Sequence, residues 1–239
     1  MRIGLFISCL VDQFFPQAGL ATARILRRLG HTVEYPAEQT CCGQPAYNSG
    51  VHDEARALAL RFLRVFDRFD AVVAPSGSCV AMVRNIYPQL LGDTEYAIRN
   101  TVSRVFEFSE FLVGHLGVTD VGASFSGRVT YHDSCHLLRE LRVQDQPRQL
   151  LRAVRGLELV ELNDGPTCCG FGGSFSVKFP QISTAMGDDK VAAIERTGAD
   201  CVVAGDAGCL MQIGGLLRRR GSVVKPMHLA EVLGMGNDT

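Results

Sequence analysis

The residues most able to do chemistry are nine cysteines in a chain of 239 residues that has no tryptophan. Cys41-Cys42-Gly43 recurs as Cys168-Cys169-Gly170. A single cysteine precedes each pair (Cys9 and Cys135) and another follows it (Cys79 and Cys209), so that matching cysteines lie 126–130 residues apart. Four cysteines repeated in one order at nearly constant offset indicate a duplicated unit. The thiolate, not the thiol, binds metal, and four thiolates converging on one point suit a metal ion or an iron–sulfur cluster. Structural zinc sites usually clamp one ion with Cys-x2–4-Cys pairs. Adjacent thiols hold a single small ion awkwardly, but they can reach two irons of a larger cluster. Iron–sulfur is therefore favoured over zinc, with free or disulfide-linked thiols as the third reading.

Around these cysteines stand further groups with two readings each. His132, Asp133 and His136 flank Cys135. They could move protons or bind a substrate carboxylate, or they could only orient the loop. Gly170-Phe171-Gly172-Gly173 could cradle a phosphate, but packing around a cluster explains a short glycine run equally well. Arg27-Arg28 and Arg218-Arg219-Arg220 end expected helices and are most simply charges at negative helix ends. Phe106, Phe108, Phe111 and Leu112 read as a core or interface stripe. Cys201 has no counterpart and sits in an apolar run, as a buried small hydrophobe would.

The elements that must position the thiols alternate strand and helix. Strands are expected at 2–7, 32–35, 71–74, 129–132, 157–162 and 201–204, with a closing strand at 223–224. Helices are expected at 17–29, 51–66, 182–196, 207–219 and 228–233, and after Pro75-Ser76-Gly77-Ser78 through Tyr87. This alternation argues for an α/β fold of two pseudo-equivalent halves with parallel βαβ layers, Rossmann-like, produced by internal duplication. The expected repeats are 1–120 and 121–239, joined near 114–127. Each lone cysteine would follow a strand, at the sheet edge where ligands of open α/β folds gather. Hydrophobic residues at 46% and charged residues at 21% exclude a disordered chain. A net charge of -1 offers no field for nucleic acid or an anionic membrane. No apolar run approaches the ~20 residues of a membrane helix. The short apolar start is not expected to be an export signal, so reduced thiols and a cytoplasmic location are expected.

Two copies of this cysteine pattern, with 31 or 32 residues before each pair and 36 or 39 after it, resemble the cysteine-rich CCG domain. That domain occurs in the cysteine-rich subunit of heterodisulfide reductase, in the glycolate oxidase iron–sulfur subunit and in an iron–sulfur subunit of anaerobic glycerol-3-phosphate dehydrogenase. With Tyr131-His132-Asp133-Ser134-Cys135-His136 and Gly208-Cys209-Leu210-Met211-Gln212-Ile213, the chain is most similar to the lactate utilization protein A family. The resemblance implies an oxidoreductase component that acts only with partners, one a ferredoxin-like iron–sulfur subunit and another a third subunit, in oxidising L-lactate to pyruvate. It implies up to two iron–sulfur clusters, of the [4Fe–4S] type, on Cys9, Cys41, Cys42 and Cys79 and on Cys135, Cys168, Cys169 and Cys209. Noncubane clusters in heterodisulfide reductase use motifs ending in Cys-x-x-Cys. Here Met82 and Gln212 stand at the last position, which favours four protein ligands per cluster. A heterodisulfide-type thiol–disulfide oxidoreductase and a zinc-stabilised docking scaffold are the alternatives.

Overall fold

The computed structural model describes residues 1–92, 100–163 and 167–236. Two parallel four-stranded sheets run in the order β2-β1-β3-β4 and β6-β5-β7-β8. The strands are β1 Arg2–Leu5, β2 Thr32–Glu34, β3 Ala71–Ala74 and β4 Val105–Glu107 in the first sheet. In the second they are β5 Ser124–Tyr131, β6 Arg155–Val160, β7 Cys201–Ala204 and β8 Lys225–His228. The second sheet thus repeats the strand order of the first, one strand for one strand. β3 and β7 are four-residue apolar segments buried on both faces, as strands covered by helices on each side must be.

Most elements lie within a residue or three of their sequence expectation, and the departures have physical causes. The closing strand is Lys225–His228 rather than 223–224, and Val223 is 88% exposed. It carries Pro226, which an edge strand tolerates because one side of its backbone is unpaired. β4 was not expected. It is three residues long, and its Val105 pairs with Val72 of β3. The helix expected to run through 87 is instead broken. Gly77–Ala81 is α-helical, Met82–Ile86 is a π-helical stretch, and Tyr87–Leu91 resumes the α-helix. Pro88 lacks an N–H, so the regular ladder cannot pass through it.

The two sheets are joined by a common core. Helix Pro16–Arg28 lays Ala18, Ala21, Ile25 and Leu26 inward. Its partner from the other end of the chain is helix Leu229–Gly234, and both belong to one apolar cluster with Ile3, Val73, Val129 and Val203. Packing is close, since a Cβ on Gly234 would come within 2.9 Å of the Ala21 methyl. Phe108, Phe111 and Leu112 are fully buried in the same cluster, and Phe106 packs against it. Polar bonds also cross between the halves: Arg28 donates to the Val121 carbonyl at 2.8 Å, and the His228 Nε2 donates to the Pro75 carbonyl at 3.1 Å. The His228 Nδ1 meanwhile accepts from Ala230, and burial holds this imidazole down to about 4, neutral at physiological pH.

Glu107 ends β4 and is buried, accepting from the amides of Ser109 and Glu110 and from the Ser109 hydroxyl. Burial pushes its carboxyl up to about 7. An unfolded glutamate titrates near ~4.3. Between those values the folded chain holds a proton that the unfolded chain has lost, so stability falls as pH rises through this window. The stability difference between Glu107→Gln and the wild type is expected to move in the variant's favour by about 3 kcal/mol from about pH 4 to about pH 8. Urea unfolding at both pH values measures it, and a pH-independent difference would refute it.

Candidate metal centre

Each lone cysteine sits at the start of the segment that follows a strand. Cys9 opens helix Cys9–Phe14 after β1, and Cys79 lies in helix Gly77–Ala81 after β3. Cys135 caps the π-helical stretch His136–Leu141 after β5, and Cys209 lies in helix Ala207–Arg219 after β7. The cysteine pairs come in on loops that follow β2 and β6. Because parallel strands all end at the same edge, these loops meet there.

In the N-terminal half the Cys9 and Cys41 sulfurs are 3.7 Å apart, and those of Cys42 and Cys79 are 3.4 Å apart. In the C-terminal half the free thiol of Cys135 acts on Cys168, and that of Cys169 acts on both Cys168 and Cys209. Gly43 and Gly170 both have φ of +84°. That left-handed turn suits glycine. It folds the backbone so that each glycine N–H donates to the first sulfur of its own pair, Cys41 at 3.4 Å and Cys168 at 3.3 Å.

These contacts decide where negative charge rests. Cys41 is held down to about 3 by the thiols of Cys42 and Cys9, with help from the Gly43 N–H. Cys168 is held down to about 2 by the thiols of Cys135 and Cys169, again with a glycine N–H. Cys209 is also held well below an ordinary thiol, first by Cys169 and then by the His132 ring and Ser134. Their donors shift the opposite way, with Cys9, Cys42, Cys135 and Cys169 pushed up. Each half therefore presents a stabilised thiolate among thiols that a cation would deprotonate in turn, which is the electronic character of a metal site. His132, Cys169 and Cys209 together place three metal-binding donor atoms within 4.8 Å of one another.

All eight repeated cysteines line one cavity of about 410 Å³. The cavity lies where the ends of β3 and β7 meet. There the Ser78 amide donates to Asp206 at 2.7 Å, and the Gly77 amide reaches the Gly205 carbonyl at 3.4 Å. Cys42, Cys79, Cys169 and Cys209 form its buried part, while Cys9 is exposed. Cys201 lies apart from this cavity, buried in β7. The glycine-rich loop forms part of the cavity wall through Phe171, Gly172 and Gly173. A Cβ at Gly208 would meet the Phe171 ring at 2.7 Å, so loop and helix are pressed together.

The three flanking polar residues have different surroundings. His132 is buried among the sulfurs. His136 lines the cavity and pairs with Glu140 at 2.6 Å, one helical turn on. Asp133 is gripped at both oxygens by Arg148, at 2.8 and 2.7 Å, and Arg148 also reaches Glu161 and lies over the Tyr131 ring. The Arg148 side chain is 11% exposed. Arg148→Met is expected to cost about 1–3 kcal/mol, because it strands a carboxylate in a half-buried place. A urea midpoint unchanged from wild type would refute this. Asp206 was not singled out in the sequence, yet it lines the cavity, and burial followed by the nearby Cys209 pushes it up to about 6. Its only sequence signal is an acidic residue between a strand and a helix, which reads as a helix cap, and it does cap, accepting from Gly208.

Comparison with known proteins agrees with this duplicated arrangement. The cysteine-rich domain family matches residues 3–84 and again 129–214. Lactate utilization protein A of Halalkalibacterium halodurans is 49% identical, over 98% of this chain and 96% of that protein. Lactate utilization protein A of Geobacillus kaustophilus is 48% identical, over 99% of this chain and 100% of that protein. Among solved structures, a putative Asp/Glu racemase from Yersinia pestis covers 98% of this chain and 95% of its own at 10% identity. The TM-score of that superposition is 0.36. The twofold domain match and near-full-length identity place the chain in the lactate utilization protein A family, built from two cysteine-rich CCG domains.

Proposed function

We propose that this chain is the iron–sulfur electron-transfer subunit of a complex that oxidises L-lactate, or a similar 2-hydroxy acid, to the corresponding keto acid. The observation that carries the reading is the pair of thiol quartets opening onto one cavity, each with a thiolate already stabilised by its neighbours. The two repeats, 1–120 and 121–239, each supply one quartet. Cys9, Cys41, Cys42 and Cys79 hold one [4Fe–4S] cluster, and Cys135, Cys168, Cys169 and Cys209 hold the second. When bound, such clusters supply one-electron chemistry at potentials set by charge, burial and hydrogen bonds to sulfur. The chain's own contribution is to hold thiolates in place, to donate the Gly43 and Gly170 N–H groups to sulfur, and to wall the site with apolar residues such as Phe171. The names of the relatives point to lactate. Oxidation of the hydroxy acid belongs to the assembled complex, with a ferredoxin-like subunit and a third subunit as partners. His132, Asp133 and His136 are the residues proposed for proton handling beside the C-terminal cluster. No helix among the described residues is long and apolar enough to cross a membrane, and the proposed place of work is the cytoplasm, where thiols stay reduced.

The test is anaerobic purification followed by iron and acid-labile sulfide analysis and EPR. Iron and sulfide in equal amounts, with a reducible paramagnetic signal, support the reading. Zinc without labile sulfide would replace it with the zinc-stabilised docking scaffold. A paramagnetic state that appears only on adding a disulfide would replace it with the heterodisulfide-type reductase.

A further inference from the structure

The repeat is broken at one chemically important position. His132 in the C-terminal half stands where the N-terminal half has Phe6. The equivalence is structural as well as sequential: the Phe6 amide donates to the Val73 carbonyl at 2.9 Å, and the His132 amide donates to the Val203 carbonyl at 2.8 Å. Both side chains are buried, at 0% and 1% exposure. Phe6 fits an aromatic nest, edge-on to Phe62 at 5.0 Å and to Phe66 at 5.5 Å. His132 has no such apolar role to justify its burial. Neither of its ring nitrogens has a hydrogen-bond partner among the described residues, and a ring atom lies within 4.8 Å of the Cys169 and Cys209 sulfurs. A buried imidazole lacking partners is costly unless it serves a group in the site. The neighbouring Ser134 hydroxyl is likewise buried without a partner.

We infer that His132 donates a ring N–H to sulfur at the C-terminal centre, making the two centres chemically unequal despite the duplicated fold. This rests on the iron–sulfur reading above. An N–H donor stabilises the negative charge that reduction adds to a cluster. The C-terminal centre therefore has the higher reduction potential of the two, and Phe6 leaves the N-terminal centre without that donor. With four cysteines already present in the C-terminal set, the imidazole acts on sulfur and does not displace a thiolate from iron. His132 is in this sense a tuning and positioning residue.

The experiment uses full-length protein carrying isotope-labelled histidine nitrogen, reconstituted anaerobically with iron and sulfide and then reduced. Pulsed EPR is expected to show a weak histidine-nitrogen coupling on one of two centres. The coupling is lost in His132→Phe, where one of the two midpoint potentials also falls and the other stays. A histidine coupling that persists in His132→Phe would overturn the inference, as would no coupling on either centre, or potentials that do not move. A strong, directly bonded coupling would overturn it in favour of iron ligation. The coupling is expected to survive in His136→Gln, which removes the imidazole lining the cavity, so the labelled protein assigns it to His132 even if His132→Phe does not fold; loss of the coupling in His136→Gln would overturn the inference. If the wild type binds no iron and sulfide, the iron–sulfur reading falls and this inference falls with it. If both clusters form but no histidine nitrogen couples, this inference alone is lost.

Discussion

Cys169→Ser is expected to remove about half of the iron and acid-labile sulfide from the anaerobically reconstituted protein, because it deletes one of the two proposed cluster sites. Cys169 is 2% exposed and its thiol acts on both Cys168 and Cys209, so it is the interior member of its quartet. Serine is nearly the same size but its hydroxyl does not ionise at neutral pH, and soft thiolate donors are what iron–sulfur centres require. The N-terminal quartet has its own sulfurs and its own glycine N–H, and so keeps its share. Cys42→Ser, the equivalent change in the other half, is expected to give the same partial loss, and the double variant to lose both centres. Cys201→Ser is the control. That thiol lies in β7 outside the cavity, and its substitution leaves the iron content unchanged. Colorimetric iron and sulfide analysis per chain decides the matter, with far-UV circular dichroism to show that the fold survives. Equal losses in the Cys169 and Cys201 variants would sink the assignment of ligands.

Gly170→Ala is expected to destabilise the folded chain by about 2–5 kcal/mol, the second large effect. Two costs combine. Holding a residue with a Cβ in the left-handed region costs about 1–2 kcal/mol. A Cβ at Gly170 would also lie 2.4 Å from the Ser183 carbonyl oxygen and 3.1 Å from the Met186 Cβ. Ser183 belongs to the backbone of helix Pro180–Arg196, so the helix or the loop must shift, adding about 1–3 kcal/mol of overpacking. The shift also loosens the bond from the Ser183 hydroxyl to the Gly170 carbonyl and the N–H donated to Cys168. Gly43→Ala provides the comparison inside the same molecule. Its φ is the same, but the nearest atoms a Cβ would meet are at 3.4 Å, so only the conformational cost of about 1–2 kcal/mol applies. Urea unfolding of both variants should rank Gly170→Ala well below Gly43→Ala. Equal midpoints would show that the loop yields without cost and that the close approach has no energetic meaning.

The duplication was legible in the chain itself. Four cysteines stand in the same order in both halves at a nearly constant offset, and so rare a residue type makes the repeat visible without any help from the surrounding sequence. The boundaries of β3, β7 and helix Ala207–Arg219 were equally plain, because strands buried on both faces read as unbroken apolar runs and the long helix has a regular apolar spacing. Pairing geometry was less legible. Lys225–His228 is polar and contains proline, so it carries no strand pattern; only its place at the sheet edge, beside β7, makes it a strand. β4 is too short for any period to show.

The sequence by itself determined that the molecule has two copies of one α/β unit and four thiols per copy near sheet edges. What the tertiary structure decided is the relation between the copies. The ends of β3 and β7 meet through Ser78 and Asp206, residues 128 positions apart, and this puts both quartets on a single cavity. It also decided which flanking groups face sulfur. His132 and Asp133 are neighbours in the chain, but successive residues leaving a strand point to opposite sides. The imidazole goes to the sulfurs and the carboxylate to Arg148. Contacts of that range depend on how whole sheets twist and pack, and no local spacing encodes them.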